Sequence, residues 1–404
     1  MTATKTTTRT GVLDAVHATP PPVRYLLGGV LVNQVGAFVQ TFLLLYLMHR
    51  DFSIGAAGIA LTTYSAGSVL GTLLGGELTH RIGPRATIVA AMTTSGLILG
   101  AVPLLSRSDL YLALLMAIAL AGLATQCYRP AAAVLLSDLM PDEHRVMAFS
   151  MMRTALNIGA ALGPLIAAGL ILVDWNLLFW FDALTALVYA AVARILLPSV
   201  RAARETEEPA PDRRSAYAIL LRDWRYLLFL ASCLIGTVIY VQYTVALPLQ
   251  ITAAGHPTAL YSAVLMTASL VLIACELKIT SHVTKLRPNT VGAVGTAVMG
   301  LGVAAYGLAT HSSAAILACT VVFVFGVMIN GPTMFAHPAK SPAAVKARYI
   351  GAHQATFGLG MALGPALGVL AWETMSTGMW ALCGVLGIAA AWCALVGMRE
   401  ESPS

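Results

Sequence analysis

Apolar stretches of about twenty residues or more run along the chain, separated by short breaks rich in charge, proline or glycine. They fall at 24–48, 53–78, 86–105, 110–137, 147–172 and 176–197, and again at 225–250, 258–281, 289–309, 313–337, 348–371 and 377–398. A helix needs about 20 apolar residues to cross a hydrocarbon core of ~30 Å, and each run is long enough. The runs are continuous, without the period-two alternation of a transmembrane strand, which excludes a β-barrel and predicts an all-α polytopic membrane protein of twelve helices.

Composition agrees. Of 404 residues, 58% are hydrophobic and 10% charged, against about 25% charged in an ordinary soluble domain. A soluble enzyme is excluded. The formal charge of +6 does not point to nucleic acid, because no soluble domain with a basic face is available to carry it. All six cysteines lie inside apolar runs, where they act as small hydrophobes without disulfide or zinc spacing, so no metal or cofactor is expected. The first 22 residues are Thr-rich, end in Pro20-Pro21-Pro22 and lack the apolar core of a signal peptide.

Twelve crossings return both ends to one side. Every Lys and Arg except Arg50, Arg107, Arg129 and Arg153 falls in the tails or the even-numbered turns, so the positive-inside rule predicts cytoplasmic termini in a cell membrane. The polar stretch 198–224, with Pro209 and Pro211, reads as a cytoplasmic linker. The expected organisation is a tail at 1–23, a six-helix bundle at 24–197, the linker at 198–224, a second bundle at 225–398 and a tail at 399–404.

The bundles repeat. Arg24-Tyr25-Leu26-Leu27 recurs as Arg225-Tyr226-Leu227-Leu228, 201 residues on, and Pro141 and Arg145 match Pro342 and Lys346 at the same offset. So does Gly159-Ala160-Ala161-Leu162-Gly163-Pro164, as Gly360-Met361-Ala362-Leu363-Gly364-Pro365. Two parallel repeats related by an axis along the membrane normal can rock about a midplane site, a geometry that serves a transporter. No G-x-x-x-x-G-K-[ST] phosphate loop is present, so the energy must come from an ion gradient or from the substrate's own.

These residues resemble the major facilitator superfamily over nearly the whole chain, and within it the drug:proton antiporters. Between spans two and three, Gly76-Glu77-Leu78-Thr79-His80-Arg81-Ile82-Gly83-Pro84-Arg85 is similar to the family's G-x-L-A-D-R-x-G-R-K signature at Gly76, Leu78, Arg81, Gly83 and Arg85. His80 stands where the family has an acid and Pro84 where it usually has a base, which implies an altered charge relay at the cytoplasmic gate. Gly159, Gly163 and Pro164 are similar to the antiporters' G-x-x-x-G-P-x-x-G-G motif, with Ala167 and Ala168 in place of the trailing glycines. The same residues also suit any tightly packed helix pair. The family's usual arginine before Gly122 is absent, and Arg129 lies one to two turns further on.

In a fold resembling this family, spans one, four, seven and ten line a central cavity. Asn33 and Gln40 share a face of span one, Gln126 and Arg129 a face of span four, and Tyr240 and Tyr243 a face of span seven, while Asn330 lies on span ten. Such a pocket of amides, phenols and one fixed cation suits a small amphipathic molecule, neutral or anionic. A charge at the depth of Arg129 costs about 2.5–3.5 kcal/mol even on the lenient insertion scale, so it needs a partner. The substrate's carboxylate or phosphate is one candidate and Asp138 another.

Glu276 in span eight and Asp182 in the outer part of span six are intramembrane carboxyls, able to take up and release a proton as the cavity changes sides. The alternatives are a surface salt bridge of Glu276 with Lys278 or Arg287 and a packing role for Asp182. Arg153 and His353 are expected to pack at the seam between the halves. Span one carries no acid, which favours neutral or acidic cargo over lipophilic cations.

The leading expectation is a secondary transporter, not an enzyme, exporting a small amphipathic compound against a flow of protons by alternating access, with the monomer sufficient. Uptake or facilitated diffusion of an organic anion is the rival, and a membrane-embedded transferase lacks the clustered catalytic groups it would need.

Overall fold

The computed structural model describes residues 17–37, 39–106, 111–199, 213–257 and 259–399. Among them twelve helices are long and apolar enough to cross a membrane. They run Pro21–His49, Gly55–Ile82, Pro84–Leu105, Tyr111–Leu139, Asp142–Ile171 and Asn176–Leu196. The second six are Trp224–Ala253, Leu260–Val283, Pro288–Gly307, Ser313–Lys340, Ala343–Met375 and Gly378–Gly397. Spans five and eleven begin at Asp142 and Ala343, earlier than the hydropathy break, because their polar first turns continue the helix beyond the apolar run. A short helix, Arg213–Arg222, precedes span seven.

Local chemistry sets the helix ends. Ser53, Asp223 and Ser312 each accept a hydrogen bond from a first-turn amide, satisfying a donor that has no intrahelical partner. Pro21, Pro84 and Pro288 sit at the first helical positions of spans one, three and nine, where the missing N–H costs nothing. Gly83 turns span two into span three at φ 86°, a conformation natural to glycine. Span one is itself broken, into Pro21–Gly36 and Val39–His49.

Contacts between helices follow the repeat. Spans two and four, three and six, one and five, and one and six pack together in the first half. Spans eight and ten, nine and twelve, seven and eleven, and seven and twelve do so in the second. The halves meet through spans two and eleven, four and eleven, five and eight, and five and ten. Large apolar residues such as Leu165, Ile195 and Val385 remain exposed on the outside, a surface that lipid and not water accommodates.

Glycines let the helices approach. A Cβ on Gly67, Gly71 or Gly75 of span two would overlap the carbonyl oxygen of Ala119, Leu123 or Cys127 on span four. Even modest overpacking costs about 1–3 kcal/mol, and here the obstruction is backbone that cannot rotate away. Gly71→Leu is therefore expected to abolish monodisperse protein in gel filtration. Gly28→Leu, where nothing lies within 4 Å of the added atom, should leave the elution profile unchanged.

Because the crossings are even in number, the first and last described residues share one side of the bundle. It also holds Arg81, Arg145, Lys285 and Lys340 and is termed the basic face below.

Candidate functional site

A cavity of about 180 Å³ lies between the halves. Span seven contributes Ser232, Gly236 and Tyr240, span ten Asn330, Gly331 and Met334, span eleven His353 and Phe357, span five Arg153 and Asn157, and span four Arg129. A second cavity, of about 340 Å³, opens between spans two, four and eleven; Ser65, Ser68, Thr72, Gln126 and Gln354 give it a polar wall. Arg129 and Phe357 line both, so the guanidinium stands at the junction of a mainly apolar chamber and a hydroxyl-rich one.

Arg129 has no ion-pair partner among the described residues, and its buried Nε has no hydrogen-bond partner. Asp138, the structural partner that sequence offered it, is engaged elsewhere: Lys346 Nζ reaches its Oδ1 at 2.7 Å. The second cation in the cavity wall is compensated. Arg153 Nε lies 3.4 Å from Glu276 Oε1, and a terminal nitrogen of the same guanidinium donates to Val327 O at 3.2 Å. Glu276 is 0% exposed and neither of its oxygens accepts a hydrogen bond. Its partner is thus Arg153 from the other half, not Lys278 or Arg287. The surface bridge fails because the carboxyl is turned into the bundle. Gly331 makes room: a Cβ there would overlap the Arg153 guanidinium.

The other expected site residues are placed as follows. Tyr240 and Asn330 line the cavity, and Asn330 donates to Thr296 Oγ1 at 3.0 Å. Tyr243 packs edge-on against Tyr240 and tilted against Phe323, with centroids at 5.4 and 5.0 Å, outside the lining. Asn33 is buried inside the first bundle and lines neither cavity. The Gln40 side chain lies outside the described residues. Asp182 is likewise buried within the first bundle and is not among the residues lining either cavity; its own carbonyl accepts from Thr185 at 2.9 Å. Arg153 and His353, which the sequence placed at the seam between the halves, line the cavity there; Asn157 was not visible in the sequence, since a polar residue on an apolar helix does not reveal which way its face points.

The polar ties between the halves lie between the basic face and the level of Arg153. Glu77 accepts from Arg81 Nε at 2.7 Å, one turn on, and from Arg348 Nε of span eleven at 3.0 Å. Thr280 donates to Ser150 Oγ at 2.9 Å. Spans two and eleven cross at Gly76 and Gly351, where an added Cβ would sit 3.1 and 3.0 Å from the opposing Cα. Glu77, one turn before His80, is an acid on the face that meets span eleven. Arg85 donates to the Arg194 carbonyl. Gly159 packs on Gln34 of span one and Gly360 on Thr237 of span seven. Pro164 and Pro365 sit within continuous helices, and Gln242 donates to the Gly364 carbonyl at 3.0 Å.

A duplicated twelve-helix bundle that encloses a partly charged chamber between its halves is the architecture of a membrane transporter. The profile of the Major Facilitator Superfamily matches residues 26–365, and the chain belongs to that family. It is 26% identical over 242 residues to a Na(+), Li(+), K(+)/H(+) antiporter of Planococcus maritimus, an alignment that spans 56% of each protein, little more than half of that relative. It is 25% identical to multidrug resistance protein MdtH of Yersinia enterocolitica over 78% of this chain and 79% of that one. Among solved structures, a bacterial homologue of the iron transporter ferroportin in an outward-facing state superposes with a TM-score of 0.75 at 15% identity, covering 93% of this chain and 98% of the other. The human organic anion transporter MFSD10 gives 0.72 at 16% identity, covering 93% and 100%. At these identities the structures share the fold.

Proposed function

We propose that the protein exports a small amphipathic anion or neutral compound in exchange for protons, by alternating access, with both termini cytoplasmic and one chain sufficient. The observation that carries this reading is Arg129: a guanidinium at the junction of two chambers, with no salt bridge to a described acid and a buried Nε without a hydrogen-bond partner. A buried cation of this kind is costly unless a ligand supplies the counter-charge, and its fork matches a carboxylate or phosphate. Tyr240, Phe335 and Phe357 offer an apolar body its surface. Exchange in the outward direction is supported by the distant antiporter and multidrug relatives.

In this reading the latch of Glu77 and Arg348 closes the cytoplasmic side. Glu276 carries the proton. Protonation removes the charge facing Arg153 and loosens the tie among spans five, eight and ten, which lets the halves rock.

Substrate-dependent proton release from the detergent-solubilised protein tests this, with a panel of small amphipathic carboxylates as probes. Wild type is expected to release protons on binding. Glu276→Gln should bind the same probe without release, and unchanged release from that variant would contradict the coupling role. A second reading, uptake or facilitated diffusion of an organic anion, is favoured by the same free guanidinium. It predicts counterflow stimulated only when protons and solute move together.

A further inference from the structure

Few buried side-chain polar atoms lack a hydrogen-bond partner among the described residues. Three of them, Arg129 Nε, Ser232 Oγ and His353 Nε2, belong to residues that line the cavity between the halves. Arg129 is the anion's partner in the proposed export. The other two stand on spans seven and eleven, which pack side by side, and the fold uses neither.

Ser232 is 1% exposed. Hydroxyls on apolar helices commonly donate to the carbonyl one turn earlier, as Thr237 of the same helix does to Cys233 O at 2.7 Å and Ser68 to Tyr64 O at 2.9 Å. The Ser232 hydroxyl makes no such bond. His353, also 1% exposed, is fixed through its ring: Phe229 stacks on it at 5.4 Å between centroids, and Phe335 meets it nearly at right angles at 5.0 Å. Ser232 follows Phe229 by three residues on one face of span seven, so the hydroxyl and the imidazole lie about one turn apart where the two helices meet.

The internal repeat supplies a control. At the offset of 201, Ser232 and His353 correspond to Leu31 and Met152, and Met152 belongs to the buried apolar core of the first half. Apolar residues therefore suffice at these positions for a bundle to close. Leaving two polar atoms unpaired in the second half costs stability, and a ligand that pairs with them offsets the cost.

We propose that Ser232 and His353 form a second recognition point for the cargo, one that binds a hydroxyl group, so that the preferred substrate is a hydroxylated amphipathic carboxylate. A hydroxyl both donates and accepts. It therefore satisfies Ser232 Oγ and also His353 Nε2, whichever ring nitrogen carries the proton. An ammonium would find no acid in the lining. The carboxylate end of this substrate rests on the export reading above, whereas the hydroxyl end rests on the two unpartnered atoms.

Isothermal titration calorimetry of the full chain in detergent tests the inference, with straight-chain ω-hydroxy acids of graded length, the corresponding unsubstituted acids and the methyl esters of both as probes. In an apolar chamber without the second point a terminal hydroxyl weakens binding, because it loses water and gains no partner. Wild type is expected instead to bind the hydroxylated member about tenfold more tightly at the best-fitting length, in the acid pair and in the ester pair alike. Ser232→Ala and His353→Phe should each cut that ratio to about threefold or less. His353→Gln, which keeps a donor and an acceptor, should retain more of it than His353→Phe. Arg129→Met should weaken binding of the acids and leave the hydroxyl ratio in place. Acids that bind wild type no better than their esters would contradict the anion reading of Arg129, while the ester pair still decides the hydroxyl point. A hydroxylated member bound no more tightly than its plain counterpart in both pairs at every length, or a ratio unchanged in both Ser232→Ala and His353→Phe, would overturn the proposal.

Discussion

Arg129→Met is expected to cost the protein its affinity for amphipathic carboxylates while making the empty protein harder to unfold. A charge-assisted hydrogen bond contributes roughly 1.5–3 kcal/mol, so the dissociation constant should rise by a factor of about 10 to 150. The methyl esters of the same compounds should bind wild type and variant alike, because they lack the charge that Arg129 recognises. The stability effect has the opposite sign. With no salt bridge to a described acid and an Nε without a hydrogen-bond partner, the guanidinium is replaced by an apolar chain of similar length that removes a buried charge and breaks no described ion pair. A higher thermal midpoint in detergent, together with lost binding, is the combined signature. A lowered midpoint would mean that Arg129 holds the bundle together and does not wait for a ligand.

Glu77→Gln is expected to shift the bundle toward opening on the basic face. Arg348 is 4% exposed, and Glu77 holds its Nε across the seam between the halves. Breaking a buried pair by removing one partner costs about 3–5 kcal/mol. Most of that cost belongs to Arg348, since Arg81, the other partner, is 55% exposed and such a pair contributes little. The conformer closed on the basic face bears this cost and one opened there does not. Inverting a two-state equilibrium from 1:99 to 99:1 takes about 5.5 kcal/mol, so a shift of this size moves a large share of the population. Spin labels at Glu143→Cys and Lys285→Cys, exposed positions on opposite halves of that face, should report a longer and broader distance distribution in the variant. Arg348→Gln added to Glu77→Gln should recover part of the lost stability, because the two changes act on one interaction. Identical distributions in wild type and variant would show that the pair is not the latch.

The membrane explains why the fold was legible. A bilayer imposes a length on every helix, so the spans could be read from hydropathy, and the ungapped register from Arg24 and Arg225 to Pro164 and Pro365 exposed the two bundles. The site was legible only in part. Arg129 stood out because an isolated charge in an apolar run is rare. Tyr240 and Asn330 followed from the family's usual lining helices, but span one broke that expectation: its helix stops at Gly36, and Asn33 is packed inward. None of the cross-half ion pairs, the one of Asp138 with Lys346 included, could be read. Glu77 and Arg348 are 271 residues apart, and Arg153 meets Glu276 only because two helices from different repeats turn those faces toward each other. The one local signal was Glu77 placed four residues before Arg81, a helical ion-pair spacing. It marked the acid but not its partner across the seam.

The central claim is that two halves move around a chamber whose cation binds an anionic substrate and whose buried carboxyl carries the proton. Proteoliposomes with an acidic lumen test it most directly. A weak acid left to diffuse collects on the alkaline side, so its accumulation in the acidic lumen requires the carrier. The account predicts that wild-type vesicles concentrate an amphipathic carboxylate inside as protons leave, and that Glu276→Gln vesicles do not. Accumulation only when the exterior is the acidic side, or the same accumulation with glutamine at position 276, would contradict it.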